Sequence, residues 1–232
     1  MHKLRKLLRF LPYALHTIWL NFHYLPIKQA VKLPILLYKP RLLKCSGKII
    51  LDFADIKPGC IVLGENSVSI YPNSGICFEN NGTIVFKGPC RIGNNSAISI
   101  GHEGVLEIGE NVVASTSLKL VCYSNISIGS NTRIGWDNII CDTDFHSVKS
   151  DDTTKSKGFA PIHIGSNIWI AMRCVILKNT TIPDFCIVGA NSLLNKDYSC
   201  IPPRSMIAGS PAKIVKTNVY RDLTDDIINY KQ

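Results

Sequence analysis

The chain has 232 residues, 46% of them hydrophobic and 19% charged, which suits one large domain or two small ones and excludes a disordered polymer. Its net charge of +9 is lopsided: residues 1–48 hold ten Lys and Arg and no acid, leaving 16 basic against 17 acidic residues in the remainder. Nine cysteines, with no CxxC and no Cys–His cluster at zinc-finger spacing, argue against a disulfide framework and for buried, reduced thiols in a cytoplasmic protein.

In residues 4–22, Leu4, Leu7, Leu8, Leu11, Leu15, Ile18 and Phe22 recur at helical spacing, with Lys3, Arg5, Lys6 and Arg9 among them. Pro12, Pro26 and Pro34 punctuate the segment, and each can open a helix. A signal peptide fits poorly, because His16 interrupts the apolar run and no small-x-small cleavage site follows. The stretch is also too short and polar to span a bilayer. The spacing predicts a basic, mostly helical amphipathic segment over 1–46. It either lies on the anionic inner face of the cell membrane or packs along the domain.

From about Gly47 the chain changes to short apolar runs broken by Gly and Asn, the texture of strands and turns. Phe86, Ile92 and Ile98 stand six apart, the register slips near Gly101–Gly104, and Ile128, Ile134 and Ile140 restore it. Between 164 and 194 the period is strict: Ile164, Ile170, Ile176, Ile182, Val188 and Leu194. Period six is neither helix nor simple strand, so it marks an internal repeat of one short strand and one turn. Three such hexads close a triangular coil, and stacked coils pair as parallel strands about 4.8 Å apart. Small residues at Cys174, Thr180, Cys186 and Ser192 suit its corners. The expected fold is an all-β solenoid, a parallel β-helix over 47–217. Trp169, Val175 and Ile187 point outward and call for a partner surface.

Six residues after Ile140 comes His146, where an inward aliphatic is due. Continuing the register would bury Asp152 and Gly158, so residues 147–160 leave the prism as a protruding loop. Residues 218–232 form a tail with a short helix from Thr224 to Tyr230.

The run IGSNIWIAMRCVILKNTTIPDFCIVGANSLLNK, followed by IAGSPAKIVK, resembles the hexapeptide-repeat acyltransferases, in their sugar O-acetyltransferase branch. The resemblance spans about residues 84–217. It implies a left-handed coil, a homotrimer, and acetyl-CoA as acyl donor between neighbouring prisms, with no metal. The implied acceptor is a sugar hydroxyl of a surface polysaccharide or its lipid-linked precursor. Left-handedness rests on the resemblance alone, since parallel crossovers are otherwise right-handed.

Acetyl transfer to an alcohol needs a base and an oxyanion donor, and imidazole titrates near neutral pH. The resemblance makes His146, in DTDFHS, the general base; Asp142 and Asp144 are close in sequence, and one of them, chosen here as Asp144, orients the imidazole. It places Trp169 beside the cofactor arm, a backbone N–H of Ala171–Met172 at the thioester carbonyl, and Ala190 against pantetheine. Asn195 and Lys196 match the nucleotide end, and Lys213 and Lys216 the phosphates, which cations pair with. Met172 replaces a small residue of the family. Ser117 stands nearest to the acceptor-site asparagine of galactoside enzymes, so a simple β-galactoside is not the expected acceptor.

An N-acetyltransferase of an amino or nucleotide sugar shares the base and donor, and an inactive trimeric scaffold shares the fold. Nucleic-acid binding has only the basic charge in its favour. The zinc carbonic anhydrases of this fold need histidine ligands that are missing here.

Overall fold

The structure, a computed structural model, describes residues 11–66, 68, 70–71, 75–151 and 154–224. Short strands stack into three sheets that form the faces of a triangular prism. The first face runs from Ile35–Leu37 to the hairpin of Met206–Gly209 and Ala212–Lys216, the second from Pro40–Leu42 to Leu193–Leu194. The third runs from Lys48–Leu51 to Thr180–Ile182. Strand pairing is parallel on all faces, with the closing hairpin antiparallel.

Each strand turns apolar side chains inward, and one from each stacks in register into three columns. They are Ile92, Ala114, Ile134, Ile170 and Val188; Ile98, Leu120, Ile140, Ile176 and Leu194; and Phe86, Ile108, Ile128, Ile164 and Ile182. All are at most 3% exposed, so every one contributes most of the ~1.5–3 kcal/mol that full burial of a large aliphatic or aromatic side chain supplies, Ala114 less. Three positions after the inward residue the chain turns through a left-handed backbone conformation. Asn95, Asn111, Asn131, Asn167, Asn179 and Asn191 hold φ between 56° and 63° there, which Asn tolerates better than other side chains. The small residue that follows, such as Cys174, Thr180, Cys186 or Ser192, is buried under the corner.

Two of the three corners keep strict six-residue spacing from Phe86 onward. The corner from the second face to the third is wide: eight residues from Phe78 to Phe86, ten from Ile98 to Ile108, eight from Leu120 to Ile128. It widens to 24 between Ile140 and Ile164, and only Ile176 to Ile182 is a plain hexad. The slip near Gly101–Gly104 is therefore one member of a column of insertions along a single edge.

The prism begins earlier than the expected boundary at 47. Ile35–Leu37 and Pro40–Leu42 already pair with Ile61–Leu63 and Ile76–Phe78. Ahead of them, a 3-10 turn (Leu11–Tyr13), helix α1 (Ala14–Tyr24) and a single helical turn, α2 (Ile27–Ala30), cover the open end. The outer border of Ile35–Leu37 would present unpaired backbone groups, and α1 satisfies them with side chains. Ile35 N donates to Asn21 Oδ1 (3.1 Å), Asn21 Nδ2 donates to Ile35 O (2.7 Å), and Leu37 N donates to Thr17 Oγ1 (3.2 Å).

Among the outward positions, Trp169 is exposed and Val175 half-buried. Ile187 differs from expectation. It is buried at 8% exposure, where the first face continues past it through Met206, its register partner, into the closing hairpin. The expected tail helix, and the N-terminal Leu4, Leu7 and Leu8, lie outside the described residues apart from Thr224. The cysteines are free thiols; burial pushes Cys90 up to about 12, which leaves it unreactive at neutral pH.

Candidate active site

At the wide corner, residues 142–160 fold back on themselves as an arm. Ala160 N donates to Asp142 O (3.1 Å), Asp144 N to Gly158 O (2.7 Å) and Ser156 N to Val148 O (2.7 Å). His146 sits at its root, after Phe145 in a left-handed turn (φ 58°). The returning strand passes close to it at Gly158 (φ 72°), where a Cβ would stand 2.9 Å from the His146 carbonyl oxygen. The His146 side chain is exposed, and among the described residues its imidazole has no hydrogen-bond partner.

The two aspartates beside it have other partners. Asp142 is fully buried, and its carboxylate accepts Tyr123 N (2.7 Å) and Ser124 N (2.8 Å) of the preceding coil. It ties the root of the arm to the prism. Asp144 faces the following coil and pairs with Lys178 Nζ at 2.8 Å, not with the imidazole. The other candidate histidines are peripheral: His163 bonds Ser127 Oγ at 2.9 Å on the third face, and His102 contacts Glu103.

The donor residues gather on the neighbouring edge, between the first and second faces. Ala171 N donates to Val188 O (2.9 Å), so that amide is committed to the sheet. Met172 N donates to no described group, which leaves it as the free amide of the pair. Asn138, fully buried, braces this turn: its Nδ2 donates to Ala171 O (2.9 Å) and its Oδ1 accepts Cys174 N (2.8 Å). Sequence reading missed Asn138, although an amide at a corner position otherwise given to small residues was a usable signal.

Ala190 lies one coil further along the same edge and is exposed; Asn191 N donates to Met172 O at 3.1 Å between the two coils. Trp169 is exposed on the adjoining first face, and Lys213 and Lys216 are exposed on the closing hairpin of that face. Asn195 and Lys196 fall instead on the wide-corner edge that carries His146, with Lys196 Nζ 5.3 Å from the Tyr198 ring. The structure thus brings Ala171, Met172 and Ala190 together and sets His146, Asn195 and Lys196 across the second face from them.

Ser117 is buried and accepts Asn95 Nδ2 (3.2 Å). Further along that edge, Tyr71 from the long connection between Ile61–Glu65 and Ile76–Asn80 donates to Asp137 Oδ2 (2.6 Å). Its ring meets Trp136 edge to face at 6.1 Å, and the Asp137 carboxylate holds the phenol above its usual range. This grouping joins residues 66 apart and was not foreseen.

No family model matches the chain. It is 32% identical to galactoside O-acetyltransferase of Escherichia coli K12 over 183 residues, covering 76% of this chain and 88% of that protein. It is 33% identical over 130 residues to the probable acetyltransferase Rv3034c of Mycobacterium tuberculosis, and spans only 41% of that protein's length. Among solved structures, the polySia-specific acetyltransferase NeuO superposes with a TM-score of 0.55 at 20% identity, over 81% of this chain and 91% of that one. The architecture is the left-handed parallel β-helix. The chain belongs to the hexapeptide-repeat acetyltransferase family.

Proposed function

We propose that the protein transfers the acetyl group of acetyl-CoA to a hydroxyl of a sugar, in a surface polysaccharide or its lipid-linked precursor, within a homotrimer. The observation that carries this reading is the separation of His146 from the free Met172 amide by the second face of one prism. Two copies packed edge to edge set the base of one against the amide of the next, and a ring of three closes that heterologous contact. Phe145, Val148 and Phe159 on the arm, between 40% and 65% exposed, supply apolar surface for the neighbour. The sugar acceptor is the one named for the galactoside relative, taken here at the level of its chemical class.

In this reaction the acceptor oxygen attacks the thioester carbonyl carbon while His146 takes its proton. The carbonyl oxygen gains charge opposite Met172 N–H. The C–S bond then breaks, and the CoA sulfur leaves with the proton that His146 returns. The exposed Trp169 and small Ala190 leave room for the pantetheine arm, and Lys213 and Lys216 offer cations to the phosphates. Asp144, held by Lys178, acts on the arm root as a positioning residue.

The test is CoA release from acetyl-CoA against a panel of neutral, amino and lipid-linked sugars, with light scattering on the same sample. Release that depends on a hydroxyl sugar, from a trimer, is expected. Release indifferent to every sugar overturns the acceptor class, and a monodisperse active monomer overturns the shared site. For the donor end, Lys213→Ala is expected to weaken binding of CoA more than of dephospho-CoA, as measured by calorimetry. Equal losses would place this lysine away from the 3′-phosphate.

A further inference from the structure

Helix α1 buries Leu20 in the core but carries most of its large apolar side chains outward. Its buried side includes Thr17 and Asn21, the polar groups that cap strand Ile35–Leu37. Its outward side carries Leu15, Ile18, Trp19 and Phe22, spaced as one helical face. Leu11 before the helix, and Ile27 and Val31 after it, extend this surface, and the seven residues are between 43% and 81% exposed. An apolar cleft of about 470 Å³ opens between them, lined by Leu11, Ile18, Val31, Leu33 and Leu36.

Polar capping and the burial of Leu20 explain why α1 is docked, but not why its free face is apolar. A soluble surface scatters such residues singly, and a contiguous group marks a docking surface. The surrounding charge selects the occupant. Lys28, Lys32, Lys39, Arg41, Lys44 and Lys48 are all exposed around this end of the prism, and no acid occurs before Asp52. A symmetric contact between copies would set these cations against one another. An anionic lipid surface takes both features at once, apolar side chains below the headgroups and cations among them.

We infer that this end of the molecule is a docking surface for an anionic bilayer. The contact proposed is peripheral; among the described residues no helix is long and apolar enough to span a membrane. The inference stands apart from the acetyl-transfer reading, since its test reads binding alone.

The experiment is co-sedimentation of the full chain with vesicles of phosphatidylcholine containing phosphatidylglycerol, and of phosphatidylcholine alone. Binding is expected only to the anionic vesicles, and to fall as salt screens the cations. Two double variants address the two components: Leu15→Ser with Phe22→Ser, and Lys28→Glu with Lys32→Glu. Each should reduce partitioning at least about tenfold, while circular dichroism stays unchanged because the side chains are exposed. No binding to anionic vesicles at low salt overturns the proposal, as does binding that survives both variants. A change of oligomer size in the serine variant, with vesicle binding intact, would assign the face to another copy of the chain instead.

Discussion

Replacing His146 with Ala is expected to lower turnover by about 10²–10⁴-fold, the range for removing a positioned general base, with the KM for acetyl-CoA nearly unchanged. The side chain stands exposed on an arm whose root is held by Asp142, so its removal leaves the fold intact. Asp144→Asn is expected to cost far less, because that carboxylate is engaged by Lys178 and not by the imidazole. Steady-state kinetics on the three proteins, with acetyl-CoA and an acceptor varied in turn, decide the matter. An active His146→Ala enzyme removes the base from the mechanism. An Asp144→Asn loss as large as that of His146→Ala would mean that the two groups meet once substrate is bound.

Asp142→Ala is expected to lower the unfolding free energy by about 2–4 kcal/mol. It strips the carboxylate acceptor from two partly buried backbone donors, Tyr123 N and Ser124 N, and an unmet donor costs about 1–3 kcal/mol when buried, less where water reaches it. Asp142→Asn keeps one acceptor oxygen and should fall between the two. Urea unfolding followed by circular dichroism reads the effect, and activity per folded molecule separates it from catalysis. A variant as stable as the parent but inactive would move Asp142 from the scaffold to the chemistry. The pairing of this result with the one above matters because both aspartates flank the same histidine in sequence. Their burial and their partners distinguish them.

That contrast shows where local reading stops. DTDFHS places two carboxylates and an imidazole within five residues, yet Asp142 reaches back to the coil before and Asp144 forward to the coil after. Sequence distance along a coil carries no information about which neighbouring coil a corner side chain meets. The Tyr71–Asp137 bond and the partners of Asn138 were hidden for the same reason, being contacts between coils.

The six-residue period by itself determined the prism, its three inward columns and its buried small corners, because a side chain at the core of so narrow a solenoid has no alternative environment. It also determined that residues 147–160 must leave the core, since Asp152 and Gly158 cannot fill it. The interruptions at 101–104 and 147–160 were visible, but their stacking on one edge was not: strand pairing across turns of unequal length sets which corner absorbs extra residues. The amphipathic character of the N-terminal segment was likewise legible, while its direction was not. A periodic stripe of Leu, Ile, Trp and Phe is ordinarily the buried face. Tertiary structure turned most of that stripe outward here, because the open strand Ile35–Leu37 exchanges hydrogen bonds with Thr17 and Asn21, which sit beside the buried Leu20 on the opposite side of the helix.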